Sequence, residues 1–305
     1  MRTLTRDEWE PRARAHEQRV DALVAPHLAR REAEQKHPVH DFLFTYYSHK
    51  PSQLRRWHPG YGVRLLDAPE HEELPAYRDG AVSPELLESR RPLLVALRRL
   101  LAATASRPAT LGCFGLHEWA MVHGQEQDQI RHPWPLRLGG AGTDAVVESH
   151  RITCSHFDAF RFFTSSARPL NTLSPASGDR ADFEQPGCLH AGMDLYKHAF
   201  RLSPLVPSEL VVDCFELAWE IRVMDMRAAP YDLTGVVMDH TGEAWSPIPI
   251  ETPDGKRHYA EAQRRFAERG APLRARVLAE CDRLLDAQTP AGSGCVRDSG
   301  VTTSR

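Results

Sequence analysis

The stretch CLHAGMDLYKHAFRLSPLVPSELVVDCFELAWEIRVMDMRA, residues 188–228, decides the fold. It reads as two helices, 188–202 and 208–228, because apolar residues recur every three or four positions in each and Pro204 and Pro207 break the pattern between them. Leu189, Met193, Tyr196 and Phe200 form the apolar stripe of the first, and Leu210, Cys214, Leu217, Ile221 and Met224 that of the second. The expected fold class is predominantly α within α+β, a helical body with one small β element.

Outward from this pair the chain keeps the same character. Residues 5–36 read as a helix capped by Thr5, with Pro26 expected to kink or split it. The aromatic run Asp41–Tyr47 reads as a helix start, and 59–82, rich in Pro, Gly and acid, as loop or short surface strands. Ser83, Pro84 and Glu85 cap a helix reaching Leu100, and 117–122 is another helical piece. Gly139-Gly140-Ala141-Gly142 reads as a turn. The β-branched and aromatic stretch 145–163 is the expected strand or hairpin. A last helix spans 255–287. The domain expectation is one mostly helical unit over 1–287, with a disordered Ser, Thr and Gly-rich tail at 288–305.

Composition narrows the function. Hydrophobic residues at 41% and charged residues at 26% are ordinary for a globular chain, and no apolar run reaches the length of a membrane helix. The polar N-terminus is no signal peptide, and six cysteines occur without a CxxC pair, so a reducing cytoplasm is expected. A net charge of −3 provides no global attraction to nucleic acid. No P-loop, dinucleotide fingerprint or nucleophile elbow is present.

Sixteen histidines direct attention to metal or acid/base chemistry. On the first helix His190, Asp194 and His198 follow at i, i+4 and i+8, which gathers them within about 80° of arc. On the second, Glu209, Asp213, Glu216 and Glu220 make a file of acids, a solvated face unless a hairpin of the two helices brings it to the histidines. His156 and Asp158, read as alternate residues of a strand, would share a face as two ligands of a facial triad. The candidate metal ligands are thus His156, Asp158, His190, Asp194, His198 and Glu216, for iron or else manganese or zinc. Arg222 and Asp225 either lock the end of their helix or polarise a water. The basic, aromatic segment around Trp57 would stack a base or simply pack.

Four blocks carry a family resemblance: HPVHDFLFTYYSHKPSQLRRWHPG at 37–60, HFDAFRFFT at 156–164, EQPGCLHAGMDLYKHAF at 184–200 and ELAWEIRVMDMRAAPYDL at 216–233. Together they resemble an actinobacterial family commonly labelled 3-methyladenine DNA glycosylase, over nearly the whole chain to about residue 285. The resemblance implies hydrolysis of the N-glycosidic bond of an alkylated purine flipped into an aromatic pocket, without a cofactor. Asp194 or Asp225, with Arg222, would be the catalytic groups, and Tyr46, Tyr47, Trp57 and Trp119 would hold the cationic base. The partner would be a modified base, a nucleoside or DNA. Two other readings stand beside it: a non-haem metal-dependent oxidase or oxygenase acting on a small molecule, and a non-catalytic binding protein.

Overall fold

A computed structural model describes residues 1–238 and 242–288. Apart from Gln288, which caps the last helix, the expected tail lies outside the described residues.

The helix Ser208–Ala228 forms the centre, with buried side chains on nearly every face. Helices apolar around most of their circumference belong in the interior, and here Leu189–Leu202, Pro253–Ala287 and Arg6–Glu32 cover it. The two helices of the 188–228 stretch do pack together. Gly192 permits their close approach, since a Cβ there would stand 2.7 Å from Ile221 Cδ1. Arg91–Ala105 packs outside the long C-terminal helix. Ser83 accepts the Leu86 N–H as expected of a cap, although the helix it opens ends at Ser89 before the next begins.

Pro26 does not split the first helix, which runs Arg6–Glu32 through both Pro11 and Pro26. An interior proline costs about 3 kcal/mol of helix stability. Val20, Leu23, Val24 and His27, buried on both sides of Pro26, hold the helix in place against that cost.

The β component is small, but it is not at 145–163. That segment contains the end of a helix, Gly139–Glu148, a short turn of helix, Phe157–Phe160, and between them one isolated bridge from Ile152 to Asn171. Thr143, Val146 and Val147 are buried at helical spacing, so packing overrides the β preference of the valine pair. The Gly139 to Gly142 run starts this helix rather than closing a turn.

The sheet comes from the N-terminus and the 59–82 region. β1 (Arg2–Leu4) lies parallel to β2 (Val63–Leu65), while β3 (Tyr77–Arg78) and β4 (Ala81–Val82) form a hairpin, in the order β1-β2-β4-β3. The hairpin turn is Asp79-Gly80, with φ of 50° and 72°, the signature of a two-residue turn whose twist matches its strands. Gly80 is also required sterically, because a Cβ there would meet Leu65 O at 2.2 Å. Beneath the sheet a separate apolar cluster gathers Leu4, Trp9, Trp57, Leu65 and Ala68.

Five cysteines, Cys113, Cys154, Cys188, Cys214 and Cys281, are free thiols; Cys295 lies outside the described residues. No described helix is long and apolar enough to cross a membrane.

Many histidines serve packing. His16 bonds Leu54 O, His37 bonds Val237 O, His58 bonds the Tyr77 hydroxyl and His71 bonds Trp57 O. Burial pushes His37 and His49 down to about 4 and His58 to about 3. A histidine depressed in the folded state binds its proton more readily once unfolded. Its stabilising contribution is therefore complete above about pH 6.5 and is lost as pH falls toward 4. Urea unfolding at pH 7.5 and pH 5 is expected to show a loss of roughly 1–2 kcal/mol for each of these three residues; equal stability at the two pH values would contradict their burial as neutral imidazoles.

Candidate functional site

A deeply buried ionic group forms where the central helix meets a short one. Arg222 and Asp225 stand one turn apart on Ser208–Ala228, and His117 and Glu118 are neighbours on Leu116–Ala120. Gly115, at φ 70°, sets the entry of the short helix, and a Cβ there would press on the Tyr259 ring at 3.2 Å. Trp119 Nε1 donates to Ala228 O at 2.8 Å and ties the short helix to the end of the central one. Consecutive helical residues diverge by about 100°, so His117 and Glu118 reach toward Asp225 from different directions.

Arg222 lies between the two carboxylates. One of its terminal nitrogens donates to Glu118 Oε1 at 2.6 Å and to Asp225 Oδ2 at 2.7 Å, while its guanidinium covers the Phe42 ring at 4.4 Å. Each carboxylate thus has one oxygen held. The other oxygens, Glu118 Oε2 and Asp225 Oδ1, are buried and without a hydrogen-bond partner, as is His117 Nε2. His117 Nε2 and Asp225 Oδ1 are 3.2 Å apart, yet they do not meet the geometry of a hydrogen bond.

Two atoms at that distance but out of line with each other suit a shared third partner. His117, Glu118 and Asp225 each offer one ligand atom, and these atoms lie within 4.8 Å of one another. Glu118 Oε2 has no hydrogen-bond partner, and His117 Nε2 and Asp225 Oδ1 have only each other at ion-pair distance. Buried polar atoms so poorly satisfied are costly, and a cation with nitrogen and oxygen ligands would satisfy them. The donor set therefore fits a divalent transition metal.

The electrostatics prepare Asp225 as a ligand, whereas His117 carries a proton that a cation would have to displace. Burial opposes ionisation of Asp225, but His117 and Arg222 outweigh it and hold the carboxyl well below the usual carboxylate range. Burial likewise opposes protonation of His117, and the Asp225 charge prevails to raise its pKa. His190 lies edge-on to His117, with ring centroids 4.4 Å apart. Burial first, then the neighbouring His117 and His156, drive its pKa far down, so its imidazole is neutral.

The expected ligands His156, Asp158 and Asp194 do gather, but around cations of the protein itself. Arg180 donates to Asp194 Oδ2 at 2.7 Å and to Glu184 Oε1, and Lys197 donates to Asp158 Oδ2 at 2.7 Å. His156 Nε2 stands 3.4 Å from Asp194 and 3.5 Å from Glu184. Asp194 also accepts from the Tyr47 hydroxyl at 3.1 Å, so both of its oxygens are occupied. An aspartate so engaged is a structural anchor. His156 and Asp158 do not share a strand face, since His156 precedes the Phe157–Phe160 turn and Asp158 lies within it. His198 is buried, with burial lowering its pKa to about 3, and it does not line the cleft described below.

Glu216 lies apart from the His117, Glu118 and Asp225 group and does not line the 900 Å³ cleft. It faces outward to Arg19, whose Nε and terminal nitrogen reach it at 2.8 and 2.7 Å. Glu209, Asp213 and Glu220 pair with Arg12, with Arg19 and Arg276, and with Arg269. The acid file joins the central helix to its neighbours on the side away from the histidines, so the two sequence clusters do not meet. Trp57 belongs to the apolar cluster under the sheet and donates to Glu209 at 3.0 Å. Trp119 is fully buried as a strut. Of the four aromatic candidates, Tyr46 alone lines the cleft.

That cleft, about 900 Å³, has Glu118, His190 and Arg222 among its lining residues, together with Phe42, Tyr46 and Trp134. Its volume suits a small organic molecule. His117 and Glu118 escaped the sequence reading, although an acid in the apolar run GLHEWAMV was a signal that something buried had to meet its charge. No protein-family model, curated protein or solved structure matches the chain.

Proposed function

We propose that the chain is a metal-dependent enzyme of the non-haem oxidase or oxygenase class, acting on a small molecule in the 900 Å³ cleft. The observation that carries this reading is the buried group of His117, Glu118 and Asp225, which offers one ligand atom from each residue within 4.8 Å of the others and borders that cleft through Glu118. The imidazole and carboxylate donors suit iron, manganese or zinc. When bound, such a cation supplies Lewis acidity and, if it is iron, redox chemistry.

The chain's own residues do the rest. Asp225 is ionised at neutral pH and ready to ligate. Arg222 fixes one oxygen of each carboxylate and so aims the other. The neutral imidazole of His190 and the Phe42 ring, which meet at 6.5 Å, border the space a substrate would enter.

A second reading is favoured by the aromatic lining and by the unpartnered Asp225 oxygen: a base-recognising N-glycosyl hydrolase like the family the chain resembles. In it Phe42, Tyr46 and Trp134 would hold the base and Asp225 would support the sugar cation or activate water. One experiment separates the two. Elemental analysis of untagged protein dialysed against chelator-free buffer is expected to give about one transition cation per chain. A folded, metal-free protein that releases alkylated purine from DNA would transfer the assignment to the hydrolase.

A further inference from the structure

The lining of the cleft also carries information about the sign and shape of what enters it. Four acids face it, and three are already engaged within the protein. Glu118 is held by Arg222, Asp158 by Lys197, and Asp41 accepts the His37 backbone N–H at 3.0 Å. The cations are disposed differently. Arg222 is committed to the buried carboxylates, but Arg31, Lys36 and Arg131, all exposed, are in no ion pair among the described residues. Among the lining acids, exposed Glu34, and Asp41, which is in no ion pair among the described residues, oppose the three cations. The histidines of the lining add no positive charge at neutral pH where burial lowers their pKa, as at His27, His37 and His132.

The apolar part of the lining is aromatic and arranged in stacks. Phe42 and Tyr46 lie nearly parallel, 13° apart, with centroids at 4.8 Å, and Phe162 meets Tyr46 at 6.2 Å. A second group forms around His132, which touches Trp134 at 5.7 Å and Tyr231 at 5.2 Å. Arg131 joins the cationic edge to the aromatic part, since its guanidinium sits 6.0 Å from the Phe162 ring. Stacked rings favour a flat π surface, and guanidinium groups favour a planar anion.

We infer that the cleft takes an aromatic anion, a ring bearing a carboxylate or phosphate, with the ring among Phe42, Tyr46 and Trp134 and the anionic group at Arg131 and Lys36. The inference rests on the metal-dependent reading of the same cleft, for which it names the substrate class. The ring end then points toward the His117, Glu118 and Asp225 group, and the charged end remains near solvent, where its desolvation is least costly.

Isothermal titration of the full chain with 2-naphthoate, 2-naphthyl phosphate and the uncharged 2-naphthamide tests it, with metal content measured on the same sample. At least one of the anions is expected to bind about tenfold more tightly than the amide, the scale of a charge-assisted contact at a solvent edge. The tighter of the two distinguishes carboxylate from phosphate. The double variant Arg131→Gln, Lys36→Gln changes exposed side chains and is expected to erase the preference, so that anions and amide bind the variant equally. Amide binding equal to that of both anions, or a preference that survives the double variant, overturns the inference. A metal-loaded protein without preference rejects this substrate class alone, whereas a metal-free protein that keeps the preference rejects the metal reading alone.

Discussion

Asp225→Asn is expected to weaken binding of the divalent cation on the order of 100-fold, with His117→Ala at least as damaging. The asparagine keeps the shape and can still accept from Arg222, but removing one charge from the buried group costs stability, so the affinity is read on protein shown to be folded. What it loses is the charge of an oxygen that faces His117 Nε2 at 3.2 Å without forming a hydrogen bond to it. Competition against a chromophoric chelator reads the change directly. Glu216→Gln is the informative control: Glu216 sits on the outer face of the same helix, paired with Arg19, and its neutralisation leaves the cation affinity unaltered. Equal losses in Asp225→Asn and Glu216→Gln, or none in either, would place the cation elsewhere.

Arg222→Leu is expected to destabilise the metal-free protein by about 3–5 kcal/mol, the usual result of removing one partner from a buried ionic group. Glu118 and Asp225 would then confront each other with only His117 as counterion, in a region where Arg222, Glu118 and Asp225 are all buried. The leucine would also leave Phe42 without the guanidinium that covers it. A divalent cation binding the folded state restores stability through mass action, so the deficit should narrow when manganese or zinc is added. Urea unfolding with and without the metal makes the comparison. A loss below about 1 kcal/mol, the scale of an exposed pair, would mean that the carboxylates are not charged together, and the ligand argument would fail with it.

These two variants differ in how far the sequence foretold them. Asp225 and Arg222 stood out because charges ending an otherwise apolar helix need partners, and their mutual pairing was legible and is made at 2.7 Å, yet nothing local named the other partners. They come from Leu116–Ala120, more than 100 positions away, as the Arg222–Glu118 separation of 104 residues shows. His190 and Asp194 were expected to act together from their helical spacing. The fold assigns them to adjoining environments instead, His190 beside His117 at the cleft and Asp194 locked to Arg180 and Tyr47. The strand expected at 145–163 failed for a related reason: two valines favour β locally, but their burial on a helical face outweighs that preference.

The sequence by itself determined the helical class, the two helices at its centre, the free thiols and the concentration of histidine and acid on those helices. Each of these is written in composition, period or cap, properties that neighbouring residues settle among themselves. Tertiary structure alone decided which acids face outward to arginines and which are driven inward around one buried arginine. A helix presents its polar residues by angle, but whether that angle meets solvent, a cation or another orphaned ligand depends on what packs against it. The proposed site belongs to this second kind, because its three ligand atoms become neighbours only when the short helix at 116–120 docks on the end of the central one.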